Sequence, residues 1–474
     1  MVEALPFKAH ELSKYLTLLL TSLHSQSLYN TKQGGAPEMV ARKLNKMISE
    51  HPTLLRGKSS SHYRPLLVIM DRNSDLVTPV QHSSTYQALI DDLLTHNSNR
   101  VEFEVSIGDE KRPKKVAKKY DLDPDADPFY SRQKFNPFPE AIESNGIELQ
   151  EVTHREQAIR SKTSDAGGAV PDPMANSGTN DLANAVDSLP ALLDRKKQLE
   201  VHTSILQAVM SEVASRAVPQ FYELESGMST GTYKSDLAKA KKDVLELVTD
   251  PSKGNVQDKV RLVLVYALAT ACKSADLDDV AYAMKTALET KGSALNSDGT
   301  QRGLLDKDDR LHLQTGLQAI SYIKQLRSMH MIVPMTETVV ETNTAMLSSF
   351  MKSATTQATG LLAKATEKMG SMLGKSHKHH ATRVVENLCE MRPNTEDDEF
   401  LYLDPKVKGD VDVKTLRNMN RAPVREIVAF MIGGGCYAEY QNLQMVANER
   451  RTVSYGSTEL LDPCQFLVQL AQLG

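Results

Sequence analysis

RPLLVIMDRNSDLVTPVQHSSTYQALIDDLL, residues 64–94, opens with a run suited to the middle of a sheet. LLVIM, residues 66–70, is apolar without interruption and ends at Asp71. A half-buried strand alternates apolar with polar; one covered on both faces, as in a parallel α/β sheet, does not. Upstream, residues 11–24 and 37–48 carry helical apolar spacing, separated by a loop with Gly34, Gly35 and Pro37. The partners of the apolar strand are expected near the far end of the chain. Residues 427–432 (IVAFMI) run into Gly433, Gly434 and Gly435, and residues 452–455 (TVSY) read as a further short strand. Between these two sets lies a long, mostly helical middle. The expected fold is α/β plus mostly α: a discontinuous parallel-sheet domain (residues 1–84 and 424–474) interrupted by a large helical domain (residues 85–423).

Within that middle, residues 111–119 are basic and residues 121–127 acidic, and residues 163–179 have the Ser, Gly, Asp and Asn content of a mobile loop. Helices are expected from Asp181, with breaks, to about Leu326. A second low-complexity tract, rich in Ser, Thr, Ala, Met and Lys, spans residues 336–380.

Composition narrows the function. The 474 residues can bury at least one large core and exceed one ordinary domain. With 56 basic and 60 acidic residues the formal charge is −4, which argues against a nucleic-acid binder working by whole-surface electrostatics. Tryptophan is absent, which disfavours stacking on sugars or bases. Cys272, Cys389, Cys436 and Cys464 are scattered without a CxxC pair, so a reducing cytosolic setting fits better than a disulfide framework or zinc site. Neither a signal peptide nor a stretch of about 18 apolar residues is present. A soluble or peripheral membrane protein is expected.

Four motifs invite a chemical reading, and each is incomplete. Asp71 ends an apolar strand, where haloacid-dehalogenase-type phosphotransferases place a nucleophile, but Asn73 stands where the second acid is required. Asp71 and Asp75 as turn caps, paired with Arg72 or backbone amides, are the simpler account. Gly433, Gly435 and Ala438 fit a relaxed dinucleotide fingerprint with Glu459 as the ribose acid, but the chain ends soon afterwards. A tight turn with positive φ explains the glycines as well. Asp121, Asp123, Asp125 and Asp127 alternate like a calcium loop, yet Ala126 and Arg132 replace its glycine and closing Glu, leaving a solvated acidic loop. His377, His379 and His380 lack a nearby acid or Cys and read as a solvated basic tail to a helix. No catalytic, cofactor or metal residue is assigned. The enzyme alternative that stays open is a phosphate-ester hydrolase using Asp71.

Two helical features remain. In residues 181–228, Leu192, Leu199, Leu206, Met210 and Val213 fall on one stripe, and Pro190 marks a helix start or hinge. The stripe reads as the core face of a bundle helix; the alternative is a long helix that also offers its other side to a partner helix. In residues 346–373, Met346, Leu347, Phe350, Met351, Leu361, Leu362, Met369, Met372 and Leu373 recur mostly every three to four residues opposite Ser, Thr, Gln and Gly. The pattern describes an amphipathic helix lying in the headgroup plane of a curved membrane. A helix folded onto the protein's own surface, or a disordered loop, fits too, because Thr355, Thr356, Thr359 and Gly360 lower helix propensity.

Several segments together resemble the SM (Sec/Munc-type, syntaxin-binding) family. They are residues 64–94; DLANAVDSLPALLDRKKQLEVHTSIL, residues 181–206; EFLYLDPK, residues 399–406; REIVAFMIGGGCYAEYQNL, residues 425–443; and VSYGSTELLDPCQFLVQL, residues 453–470. YDLDPDADPFY, FPEAIESNGIELQ and the tract before His380 are most similar to its Sly-type ER–Golgi branch. The resemblance implies a scaffold without catalysis, an arch holding SNARE segments in a cleft, with a helical hairpin at residues 181–228 where a vesicle SNARE helix docks. Leu189, Pro190, Leu193, Lys197 and Leu199 lie in the matching stretch. The tract of residues 336–380 matches a loop that covers the hairpin and contacts membrane. Family chains begin with a further α/β lobe that receives the syntaxin N-terminal peptide; here the match starts in the second domain, so syntaxin binding is expected to be weakened. The implied protein is a cytoplasmic monomer, peripheral on ER and Golgi membranes and vesicles, with SNAREs and curved vesicle membrane as partners and no nucleic acid. A generic helical tether or adaptor is the remaining alternative.

Overall fold

In the computed structural model of the protein, the described residues are 28–32, 35–51, 66–107, 114–166, 176–290, 305–332, 338–340, 376–390, 392, 395, 400–403 and 424–474. In chain order they form β1 (Leu28–Lys32), α1 (Gly35–Glu50), β2 (Leu66–Asp71), α2 (Tyr86–Leu93), β3 (Thr95–Asn97), β4 (Arg100–Ile107), β5 (Lys114–Asp121), α3 (Pro128–Gln133) and α4 (Phe138–Ala166). The helices α5 (Asn176–Ser215), α6 (Val218–Ser229), α7 (Leu237–Thr249), α8 (Val256–Ala269), α9 (Ser274–Thr290) and α10 (Lys307–Ser328) follow. The last elements are β6 (Thr338–Val340), β7 (Ser376–Lys378), α11 (His380–Glu390), β8 (Phe400–Leu403), β9 (Glu426–Ile432), α12 (Tyr437–Leu443), β10 (Thr452–Ser457) and α13 (Pro463–Leu473). They divide between one unit of Met1–His82, Gln220–Thr342 and Lys375–Gly474 and another of Ser83–Pro219 and Asn343–Gly374.

The first unit holds a five-stranded sheet in the order β10-β9-β2-β1-β8. β2 lies between β1 and β9 and is parallel to both. β10 continues the parallel set, and β8 runs antiparallel to β1 at the opposite edge. The central position explains why LLVIM is apolar throughout. Leu66, Val68 and Met70 pack with Val384, Val385 and Leu388 of α11, and Leu67 and Ile69 pack with Val40, Leu44 and Ile48 of α1. Each alternate side chain meets a helix on its own face of the sheet.

The same unit contains helices α6 to α10 and α13. α8 is buried almost all round and forms their centre, as expected of a helix with no polar face. Its start is fixed by a capping box, with Asn255 and Asp258 each accepting the other's backbone N–H. The residue 85–423 helical domain is therefore corrected. Residues 220–342 and those from 375 belong with the sheet, because Leu76, Val77 and Val80 share one apolar cluster with these helices and with Phe466, Leu467 and Leu470. The strand pairing Thr338↔Lys378 to Val340↔Ser376 brings together the two ends of the 336–380 tract.

The second unit is not purely helical. β3, β4 and β5 form a three-stranded antiparallel sheet, and β5 takes in most of the basic segment of residues 111–119. Val116, Lys118 and Tyr120 are half-buried, whereas Lys115, Ala117 and Lys119 are exposed, a period of two hidden by the many lysines. α4 pairs with α5, so the hairpin comprises residues 138–215 rather than 181–228, and α6 begins after a break at Ala217 with φ 52°. Of the loop expected at residues 163–179, residues 163–166 and 176–179 are helical.

Candidate functional site

The candidate surface is on α5, and its support comes from what the helix buries. Leu199, Leu206 and Val213 are buried and Leu192 and Met210 half-buried, as the apolar stripe requires. Leu199, expected among the partner contacts, is thus an interior residue with 0% exposure. Leu189 is half-buried; Pro190, Leu193, Asp194 and Lys197 are exposed. Their spacing of three, one and three residues places these four exposed side chains on one helix face. The helix does not begin at Pro190 but runs through it, without the N–H that would bond the carbonyl four residues back.

Polar contacts hold α5 in place. Asn145 Nδ2 donates to Thr203 Oγ1 (2.8 Å), Glu148 receives both Arg132 (2.7 Å) and Arg195, and Lys196 meets Glu156 at 2.8 Å. The firmest anchor is His202, fully buried, with Nδ1 2.9 Å from Tyr86 Oη and Nε2 2.8 Å from Asp127 Oδ2. Asp127 also accepts the amides of Phe129 and Tyr130 as the cap of α3. Burial opposes its charge, but His202 and those amides hold the carboxyl below its usual range. Asp127 is therefore structural, a correction to the solvated acidic loop. Asp123 and Asp125 do face solvent, with Asp123 closing a local turn onto the Asp125 amide.

The phosphate-like motifs are occupied by the protein itself. Asp71 Oδ1 accepts the Asn73 amide (2.9 Å) at a 3-10 turn. Asp75 accepts the amides of Val77 and Thr78. At the carboxyl ends of β2 and β9, where parallel sheets bind ligands, Arg72 fills the crevice. It donates twice to Glu439 (2.6 and 3.0 Å) and also to the carbonyls of Asp75 and Gly434. Tyr455 Oη donates to the same Glu439. Gly433 and Gly434 have φ of 98° and 94°, the left-handed region that glycine enters freely. Their amides, which a phosphate would need, both donate to Thr458 Oγ1 at 3.1 Å.

The histidines are the other correction. His377 and His380 are buried, not a solvated tail, because Asn442 accepts the His379 amide and donates to the His377 carbonyl. Among the described residues no group of three or more His, Cys, Asp or Glu could hold a metal, and no helix is long and apolar enough to cross a membrane. The nine apolar residues of the 346–373 stripe lie outside the described residues.

The sequence matches the model of the Sec1 family over residues 8–469. Sec1 family domain-containing protein 1 of Homo sapiens is 33% identical, over 97% of this chain and 69% of that protein. The protein sly1 homolog of Drosophila melanogaster is 31% identical, over 97% and 70%. Among solved structures, Sly1p in complex with an N-terminal peptide of Sed5p superposes with a TM-score of 0.67 at 21% identity, covering 98% of this chain and 67% of that one. The SM protein Vps45 in complex with the Qa SNARE Tlg2 gives 0.65 at 17% identity, covering 98% and 69%. At those identities the two structures speak to the fold.

Proposed function

The chain belongs to the Sec1 family, in its Sly1-like branch, and we propose that it binds SNARE segments and templates their assembly in ER–Golgi vesicle fusion. Proteins of this family are non-enzymatic SNARE regulators. That agrees with an Asp71 committed to a turn and glycine amides committed to Thr458. The relatives' solved complexes, with a Sed5p peptide and with the Qa SNARE Tlg2, support a syntaxin-type partner.

The observation that carries the reading is the exposed face of α5. Leu193 and Lys197 stand on a helix whose opposite stripe is buried and whose base is held by His202. A SNARE helix laid on Leu189, Pro190, Leu193 and Lys197 meets a surface already ordered, so part of the entropy of zippering is lost before the second SNARE arrives. Leu199 supports this face from inside. Leu193→Arg is expected to weaken binding of a vesicle-SNARE peptide at least about tenfold, as for a central interface residue. Binding is measured by titration calorimetry, and an unchanged circular dichroism spectrum shows that the fold is intact. Equal affinity rejects the site.

The reading of residues 346–373 rests on sequence pattern: an apolar stripe that covers the platform or inserts into a curved membrane makes a two-state gate biased by differential binding. Phe350→Asp with Leu361→Asp is expected to reduce flotation with small liposomes several-fold, since two apolar anchors become charges. Undiminished flotation removes the membrane role and leaves the platform standing.

A further inference from the structure

Along α5 the side chains of residues 188–198 are exposed or half-buried, and full burial begins with Leu199 and His202. The stretch that carries Leu193 therefore takes its facing from that first buried turn. At about 100° per residue, the step from Leu193 to His202 places the two on opposite sides of the helix, about 14 Å apart along its axis. Apolar contact has no preferred direction, so Leu199 and the stripe beyond it fix only which half of the helix is inward.

His202 is directional. Its imidazole lies among the rings of Phe129 (4.7 Å between centroids), Tyr86 and Tyr130 (6.0 Å each), nearly parallel to the last (13°). The Asp127 carboxylate only accepts, so Nε2 donates to it, and Nδ1 is left for the Tyr86 hydroxyl. The two bonds leave the ring in different directions within its plane, so a roll of α5 stretches or bends at least one of them. The socket is itself tied together. Tyr86 and Gln87 donate their backbone N–H groups to the carbonyls of Asn136 and Lys134, and Phe138 donates to that of Ser84, at 2.9 to 3.1 Å. A leucine enclosed by three aromatic rings would add as much stability, since a buried polar network is weak evidence for stability. Register is the best-attested use of such groups.

We propose that His202 is the positioning residue of the SNARE platform. Held by Tyr86 and Asp127, it sets the rotation of α5, so that Leu193, Asp194 and Lys197 meet the partner helix and Leu192 and Lys196 do not. The proposal rests on α5 being the SNARE-binding helix, and its test separates the two.

The chain contains no tryptophan, so a single introduced one reports alone. Leu192→Trp and Leu193→Trp are placed one at a time in the full chain, and iodide quenching of the two is compared. In the parent, position 193 is expected to be quenched far more than position 192. His202→Leu with Tyr86→Phe keeps the socket filled and strands no hydroxyl, while Asp127 keeps its two amides and some solvent. In that double variant the two positions are expected to converge, with the thermal midpoint unchanged. On chains with Leu192 and Leu193 intact, it is expected to bind a vesicle-SNARE peptide about tenfold more weakly. His202→Gln, whose amide both donates and accepts, should recover most of that loss. Tyr86→Phe alone shifts quenching and binding less, in the same direction, and carries the test if the double variant does not fold. Unchanged quenching in both variants overturns the proposal, as does weaker binding without a change in quenching. A His202→Gln chain no better than the double variant also overturns it. Convergence with undiminished binding upholds the register and rejects α5 as the SNARE site.

Discussion

Glu439→Ala is expected to destabilise the sheet unit by about 3–5 kcal/mol, the usual cost of stranding a buried charge. Arg72 is the charge left behind. It is buried, and two of its bonds go to Glu439. Burial opposes its positive charge, and Glu439, with Asp75 and Cys436 adding to it, more than offsets burial, so the guanidinium pKa is raised. Removing Glu439 also strips the acceptor from Tyr455 Oη. The effect reaches three segments at once, because Arg72 also ties the Asp75 turn to the glycine turn at Gly434. Urea unfolding followed by hydrogen exchange at β2 and β9 reads the loss. Arg72→Met with Glu439→Leu should recover much of it, since replacing a whole buried pair by apolar groups is often neutral. A single variant within about 1 kcal/mol of the parent would mean that the pair is not what closes the crevice.

These contacts also mark how far the sequence could be read. LLVIM identified the sheet centre because burial on both faces removes the polar alternation, a signal local to five residues. β1, with the sequence LYNTK, has no such pattern; its place between β2 and β8 is a tertiary fact. On α5 the inward stripe was legible, but its limit was not. Leu199 lies two residues from Lys197, and helical spacing alone does not say where solvent ends. Residues 72 and 439 are 367 positions apart, and nothing near either announces the other. For the same reason Asp71 and the glycines could be suspected of phosphate chemistry until Asn73 and Thr458 were seen to occupy them.

His82 is expected to make the first unit more stable below neutral pH than above it. Its side chain has no solvent exposure. Nδ1 donates to Glu225 Oε1 at 2.9 Å and Nε2 to Asp258 Oδ1 at 3.0 Å, while its backbone N–H donates to Glu225 Oε2. A neutral imidazole has one N–H, so two carboxylate partners require the imidazolium. Arg261, which bonds the Val80 carbonyl and lies 4.0 Å from Asp258, is the other cation in the cluster. Burial and Arg261 oppose the charge on His82, yet Glu225 and the hydrogen bonds His82 donates to both carboxylates hold its pKa above the ordinary 6.5. A raised folded-state pKa gives stability that is complete below about 6.5 and disappears as pH climbs through the folded value. Deprotonation leaves two buried carboxylates facing one guanidinium. Below pH 6.5, His82→Gln should therefore cost about 3–5 kcal/mol, as for breaking a buried charge network. The gap from the parent should narrow steadily as pH rises, because groups titrating in both proteins cancel in the difference. Paired urea titrations at pH 6 and pH 9 measure it, and a gap that is constant or widens would show that His82 is held neutral.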